Sequence, residues 1–195
     1  MRGTMEHPAG LTYREEVLTL AEEEALLRRF EGLELESVVV RGHAARRTVR
    51  HYGWTYDFDS WGLAPAERPP GYLDDLRQRC SHLSGVEPEA WEEVLLTRYA
   101  PGDGIGWHRD AAAFGPVVVG VSLGGDAVMR FQRRAAGGER KVFEQPLQRR
   151  SAYVLAGAAR SAWQHSVPPV PALRWSVTFR TVRRSATPRL SVGPR

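Results

Sequence analysis

Apolar positions change period partway along this 195-residue chain. Leu20, Leu26, Leu27 and Phe30 recur at helical spacing, and Thr19 with Glu22 has the form of a capping box, so a helix is predicted from Thr19 through about Phe30. Val38-Val39-Val40 reads as a short strand, and residues 41–66 mix Arg, Gly and aromatics without helical period, which predicts strands and loops. Pro69-Pro70 breaks the chain, and Leu73, Leu76, Cys80 and Leu83 then predict a second helix over roughly Gly71 to Leu83, ended by Gly85 and Pro88. From Val94 the apolar residues come in short runs: Val94–Tyr99, Ile105–Asp110, Val117–Leu123, Val128–Gln132, Lys141–Phe143, Ala152–Leu155, Trp163–Val167 and Arg174–Val182. Gly124-Gly125, Gly137-Gly138 and Pro168-Pro169 punctuate them as turns.

Short strands following two helices predict an α+β, mainly β chain: a jelly-roll or cupin-like barrel with N-terminal helices packed on one side. Residues 1 to about 17 carry little pattern and are expected to be a loosely docked lead-in, and the basic segment 184–195 a mobile tail. The length fits one domain over 1–195.

Composition narrows the function classes. Hydrophobic content of 42% and charged content of 26% are ordinary for a soluble domain. One cysteine, Cys80, excludes an internal disulfide framework. No apolar run is long enough to span a bilayer and the first residues lack a secretory core, so the expectation is a cytoplasmic monomer with no membrane partner. The net charge of +4 is mild but clustered, at Arg41, Arg46, Arg47 and Arg50, at Arg130, Arg133 and Arg134, and again beyond Arg183. Such clusters suit a polyanion and equally suit a solvated surface.

The candidate chemistry lies in the strand region. His108 and Asp110 stand two apart in Gly106-Trp107-His108-Arg109-Asp110, so on a strand they share a side. Alone, His108 is equally an ordinary half-buried histidine. A turn at Pro101-Gly102-Asp103-Gly104 and a distant His165 between Trp163 and Val167 make it one of two histidines and a carboxylate, the facial set of non-haem Fe(II) oxygenases. Downstream, Arg174, Ser176, Thr178 and Arg180 share one strand face, with Trp175, Val177 and Phe179 on the other. If the apolar face packs under the helices, the arginines face the barrel interior, where buried cations need anions. A dicarboxylate such as 2-oxoglutarate meets that need.

Over about residues 94–183 the chain resembles the AlkB family of Fe(II)/2-oxoglutarate-dependent dioxygenases. The resemblance is carried by Arg98-Tyr99-Ala100-Pro101-Gly102, His108-Arg109-Asp110, Val121-Ser122-Leu123-Gly124, His165 and Arg174-x-Ser176-x-Thr178-Phe179-Arg180. It implies a double-stranded β-helix (catalytic jelly roll, about 93–183), Fe(II) held by His108, Asp110 and His165, and use of 2-oxoglutarate and O2. It further implies that Arg174, helped by Tyr99, pairs with the remote carboxylate of 2-oxoglutarate. Arg180 would lie near the metal-side carboxylate or Asp110, and Thr97 and Ser176 would complete the pocket. The family often has Asn where Thr97 and Ser176 stand; hydroxyls still hydrogen-bond, so altered affinity is expected. Family demethylases carry acidic residues just after His-x-Asp that help read the base, whereas Ala111-Ala112-Ala113 follow here.

Upstream, Arg46-Arg47-Thr48-Val49-Arg50-His51-Tyr52-Gly53-Trp54-Thr55-Tyr56 corresponds in the resemblance to the nucleotide-recognition lid, about residues 38–66. Cations hold phosphates and flat side chains stack on an unpaired base, which singles out Arg47, Tyr52, Trp54 and Tyr56 as substrate-binding candidates. The alternative is that these aromatics seal the barrel as core. The implied activity is oxidative dealkylation of alkylated nucleobases in DNA or RNA: repair or demethylation, with the base flipped or single-stranded. The alanine run keeps open an oxygenase that hydroxylates a protein, a tRNA nucleoside or a small molecule. A non-catalytic basic nucleic-acid-binding module and a cupin-type metal enzyme without 2-oxoglutarate are the remaining readings.

Overall fold

The structure, a computed structural model, describes residues 4–40, 43–57 and 62–183, with the side chains of 38–40, 43–45, 56 and 57 left out. Thr19 caps helix α1 (Leu20–Glu31): its hydroxyl accepts from Glu22 N, and the Glu22 carboxylate accepts from Thr19 N at 2.7 Å. Helix α2 (Asp74–Ser84) follows a single 3-10 turn at Gly71–Leu73 and ends at Gly85, whose φ of 70° closes the last turn in the left-handed region.

Fourteen strands among the described residues carry the rest. They are β1 (Thr4–Met5), β2 (Leu11–Arg14), β3 (Glu36–Val40), β4 (His43–Tyr52), β5 (Trp54–Asp57), β6 (Gly62–Pro65) and β7 (Glu93–Tyr99), then β8 (Ile105–His108), β9 (Phe114–Leu123), β10 (Ala127–Arg134), β11 (Arg140–Leu147), β12 (Ala152–Leu155), β13 (Gln164–Val167) and β14 (Arg174–Val182). One sheet runs β2-β12-β9-β14-β7-β4-β3 and the other β1-β11-β10-β13-β8, with β5 and β6 a separate hairpin. This is the jelly-roll architecture expected from the strand pattern.

Both helices cover the outer face of the larger sheet. Phe30 of α1 packs on Trp175 of β14 with ring centres 5.2 Å apart, and Trp91 meets Phe179 at 6.3 Å. Leu76 and Cys80 of α2 join Val94, Leu96 and Val177 in the same core. Strand alternation therefore turns Thr97, Tyr99, Arg174, Ser176 and Thr178 inward, between the sheets. There Val118, Met129, Phe131, Leu147, Leu155 and Trp163 form a second core beneath the site.

Three expectations change. The lead-in is not loosely docked: β1 pairs in parallel with β11 and β2 pairs antiparallel with β12, so these residues edge both sheets. Leu11 is buried, and the Tyr13 hydroxyl accepts from Gln148 N at 3.1 Å. A short helix α3 (Gly157–Ser161) connects β12 to β13; five residues are too few to show a period in sequence. Strand β8 stops at His108, so Asp110 lies in the turn beyond it and is not on the strand. Within the region 38–66, β4 pairs with β7 and extends the larger sheet, while β5 and β6 form a hairpin of their own. The 184–195 tail lies outside the described residues.

Gly53 lets β4 turn into β5. Its φ is 75°, and a Cβ there would collide with the Glu92 carbonyl. Gly53→Ala is expected to cost about 2 kcal/mol or more of stability, read as a lower denaturation midpoint.

Candidate iron and 2-oxoglutarate site

A cavity of about 480 Å³ opens between the two sheets. Its larger-sheet wall is set by register: Val49 of β4 lies beside Thr97 of β7, Thr97 beside Ser176 of β14, and Tyr99 beside Arg174. Each of these side chains points inward for the same reason, a period of two in phase across three paired strands.

Arg174 closes one end. It is 2% exposed, Nη2 donates to Ser122 Oγ at 3.0 Å, and the guanidinium lies 5.1 Å from the centre of the Tyr99 ring. Its Nε has no hydrogen-bond partner among the described residues, so a buried cation that lines the cavity is left with unmet donor capacity. A carboxylate satisfies that capacity with charge-assisted hydrogen bonds. Tyr153 from β12 lines the same cavity; burial pushes its phenol up to about 12, so it stays protonated and can donate. Gly120 on β9 makes room for it, since a Cβ at that position would collide with the Tyr153 ring.

The opposite wall brings the two histidines together. His108 at the end of β8 is the direct register partner of His165 in β13, and their ring centres are 4.3 Å apart. Two imidazoles bound side by side to one ion through bonds of about 2.1 Å would have centres roughly 4.5 Å apart. The His108 Nδ1 lies 2.8 Å from the Gly106 carbonyl, which can only accept, so Nδ1 carries the proton and Nε2 keeps its lone pair. Asp110 Oδ2 stands 3.7 Å from His165 Nε2 and has no hydrogen bond among the described residues. Among those residues no three donors converge tightly enough to enclose an ion without adjustment. Adjacent donors on such an ion stand about 3 Å apart, so Asp110 and His165, at 3.7 Å, would draw closer on binding one. Two imidazoles and a carboxylate with open positions fit Fe(II).

Charge around the triad favours the ligating forms. Burial alone would raise the Asp110 carboxyl, but the Arg180 guanidinium, with His165, Arg160 and His108 nearby, holds it well below the usual carboxylate range. Arg180 Nη2 donates to Asp110 Oδ1 at 2.7 Å, and Nη1 lies 3.2 Å from the fully buried Glu93. Burial opposes the Arg180 charge, yet Glu93 and Asp110 more than offset it and raise its pKa. Burial lowers His108 as well, against the pull of Asp110. Arg160 of α3 donates to the Asp110 and Ala111 carbonyls at 3.2 and 3.0 Å, fixing the turn that follows the strand.

Burial also lowers the His165 pKa from 6.5 to about 4. The unfolded chain then takes up a proton on this residue as pH falls from about 6.5 to about 4, while the folded chain does not. Stability of the metal-free protein is complete in this respect above about pH 6.5 and declines toward pH 4, by of order 3 kcal/mol. Asp110 acts in the same direction at lower pH, below the ordinary carboxylate value. Thermal midpoints against pH should show this decline, and His165→Gln should flatten it.

The substrate-binding candidates fare unevenly. Arg47 lines the cavity, where burial lowers its pKa. Tyr52 does not line it: with Arg47, Val49 and His51 facing inward, the period of two turns Tyr52 outward into the core beneath the helices. Trp54 is half-buried opposite Pro65 in the β5–β6 hairpin, away from the cavity lining. The Tyr56 side chain lies outside the described residues. Sequence reasoning assigned no site role to Glu93, Ser122, Tyr153, Arg160, Trp107 or His51. His51 lines the cavity with Nδ1 3.4 Å from Glu93 Oε1, and Trp107 lines it while 40% exposed. Glu93 was detectable, because it shares the phase of Leu95, Thr97 and Tyr99 and sits opposite Arg180.

Comparison with known proteins agrees with this geometry. Residues 19–192 match the 2OG-Fe(II) oxygenase superfamily. The chain is 28% identical to a protein of Acanthamoeba polyphaga mimivirus, over 70% of each. It is 31% identical to human DNA oxidative demethylase ALKBH2 over 72% of this chain and 58% of that protein. It is 26% identical to Xenopus tropicalis tRNA (carboxymethyluridine(34)-5-O)-methyltransferase alkbh8, over 83% of this chain but only 26% of that protein. Among solved structures, OsALKBH1 superposes with a TM-score of 0.69 at 16% identity, over 90% of this chain and 98% of that one. A Pseudomonas putida prolyl-4-hydroxylase superposes with a TM-score of 0.61 at 17% identity, over 89% and 93%. The chain belongs to the 2OG-Fe(II) oxygenase superfamily and, within it, to the AlkB family of dioxygenases that use Fe(II), 2-oxoglutarate and O2.

Proposed function

We propose that this protein removes alkyl groups oxidatively from nucleobases in DNA or RNA, with His108, Asp110 and His165 holding Fe(II) and Arg174 holding 2-oxoglutarate. When bound, Fe(II) and 2-oxoglutarate would supply the chemistry with O2 as oxidant: one oxygen atom enters the succinate formed as 2-oxoglutarate loses CO2, the other hydroxylates an N-linked alkyl carbon, and that product releases an aldehyde and leaves N–H. The chain's own residues do the rest. Arg174, held by the Ser122 hydroxyl, and the Tyr153 hydroxyl anchor the remote carboxylate, with Thr97 and Ser176 lining the pocket. Arg180, braced by Glu93, holds Asp110 ionised and oriented. Arg160 fixes the backbone behind Asp110.

The observation that carries the substrate assignment is the cavity mouth. Trp107 offers an exposed flat ring next to His108, Arg109 and Arg47 contribute cations, and among the described residues the one carboxylate in the lining is Asp110. A ring to stack on and cations for phosphate suit an unpaired nucleotide. Two of the AlkB relatives are named for DNA and tRNA, which supports the same class. The Ala111-Ala112-Ala113 run favours a second reading, an oxygenase that hydroxylates a protein, tRNA nucleoside or small molecule, because no acid follows Asp110 to read a base. Incubating the iron-loaded protein with alkylated oligonucleotides and weighing the product separates the two. The proposal expects loss of the alkyl mass with one succinate per base; succinate formation with every base unchanged would exclude it.

A further inference from the structure

A second concavity of about 430 Å³ adjoins the catalytic cavity, and Arg109 lines both. Its other lining residues include Arg133, Arg134, Arg140, Gln132 and Gln164, with no carboxylate among them. Their placement on the β10–β11 hairpin concentrates cations against the ordinary rule of sheet pairing. Arg134 stands directly opposite Arg140, and the adjacent pair, Arg133 opposite Lys141, is also cationic. Like charges directly across an antiparallel ladder destabilise it.

The sheet neutralises one of these pairs internally, since Arg133 is bridged to Glu6 and Lys141 to Glu139 at 2.8 Å. Arg134 and Arg140 have no ion-pair partner among the described residues. An anion lying between them would relieve the repulsion that the ladder otherwise bears. The floor is firm: Gln132 Nε2 donates to Gln164 Oε1 at 3.1 Å, joining β10 to β13, and the Arg133 guanidinium lies 5.1 Å from the centre of the Trp163 ring. Because β13 also carries His165, and Arg109 sits between His108 and Asp110, the groove has a fixed position relative to the triad.

We infer that this groove, through Arg134 and Arg140, binds the phosphodiester backbone flanking the reacting nucleotide and gives the strand a second anchor beside the triad. The inference rests on the proposed action on nucleic acid and adds a second contact site to it. Arginine forks pair with phosphate oxygens, and neutralising a phosphate on a single strand releases bound counterions.

The test uses the Arg134→Ala/Arg140→Ala double variant, both residues being exposed and outside the catalytic cavity. Binding of an unmodified single-stranded oligonucleotide, read by fluorescence anisotropy across a salt series, needs no turnover. Loss of two phosphate contacts should flatten the slope of log affinity against log salt by about 1.4. Affinity should fall at least about tenfold, as should kcat/KM on an alkylated oligonucleotide, with the KM for 2-oxoglutarate and activity on the free alkylated nucleoside unchanged. An Arg134→Lys/Arg140→Lys variant should recover most of the binding. Unchanged affinity and slope would overturn the groove, and so would competition by poly-glutamate equal to that of the oligonucleotide. If oligonucleotide binding falls as expected but neither oligonucleotide nor nucleoside is dealkylated, the groove stands and the proposed reaction fails. If both proteins dealkylate the oligonucleotide equally, the reaction stands and the groove fails.

Discussion

Replacing Arg174 by alanine should raise the apparent KM for 2-oxoglutarate by about a hundredfold to several thousandfold, measured as succinate release at saturating iron. Arg174 is buried, lines the cavity and has no carboxylate partner among the described residues. Removing one side of a buried, hydrogen-bonded ion pair costs about 3–5 kcal/mol, which is that range of affinity. Arg174→Lys should recover part of the loss, because an ammonium keeps the charge but not the planar fork. The variant should still bind iron, since neither Arg174 nor its partner Ser122 touches the triad. An unchanged KM would place the remote carboxylate of 2-oxoglutarate away from Arg174, leaving the buried arginine unexplained.

The second large effect belongs to the triad. His165→Ala, His108→Ala and the isosteric Asp110→Asn should each abolish turnover and leave the dialysed protein with little iron by metal analysis. Asn is the informative choice at Asp110. It preserves shape beside Arg180, where an alanine would leave a buried guanidinium with Glu93 as its sole carboxylate partner of the two. Retained iron in His165→Ala would place the metal elsewhere.

Much of this site can be read from one dimension because strands carry their facing in their period. Arg174, Ser176 and Thr178 face inward for the reason the alternating Trp175, Val177 and Phe179 predict: the apolar face is under the helices. Where phase depends on pairing, sequence misleads. Tyr52, Trp54 and Tyr56 look like a recognition face, but β4 takes its phase from β7, which puts Arg47, Val49 and His51 inward and Tyr52 in the core. Tyr153 enters the cavity from β12 and Ser122 of β9 holds Arg174 from behind, and these positions exist only once those strands flank the wall. The lead-in shows the opposite failure: β1 and β2 are too short to announce themselves, and edge pairing alone orders them. Asp110 reaches the histidines from beyond its strand, with Arg160 of an unforeseen helix fixing the turn.

The alanines after Asp110 and the arginines of β10 and β11 pull the substrate assignment in complementary directions. The first remove a base-reading acid; the second supply a track for a backbone. A protein built this way should depend more on the strand around the lesion than on the identity of the base.

Most directly, the central assignment is tested by anaerobic titration of the metal-free protein with Fe(II) and then 2-oxoglutarate, followed in the visible range. If His108, Asp110 and His165 hold iron in the cavity that Arg174 closes, one equivalent of Fe(II) binds. Adding 2-oxoglutarate then produces a charge-transfer band that requires both components, disappears in His165→Ala and needs far more 2-oxoglutarate in Arg174→Ala. A band of equal intensity and midpoint in all three proteins would contradict the account.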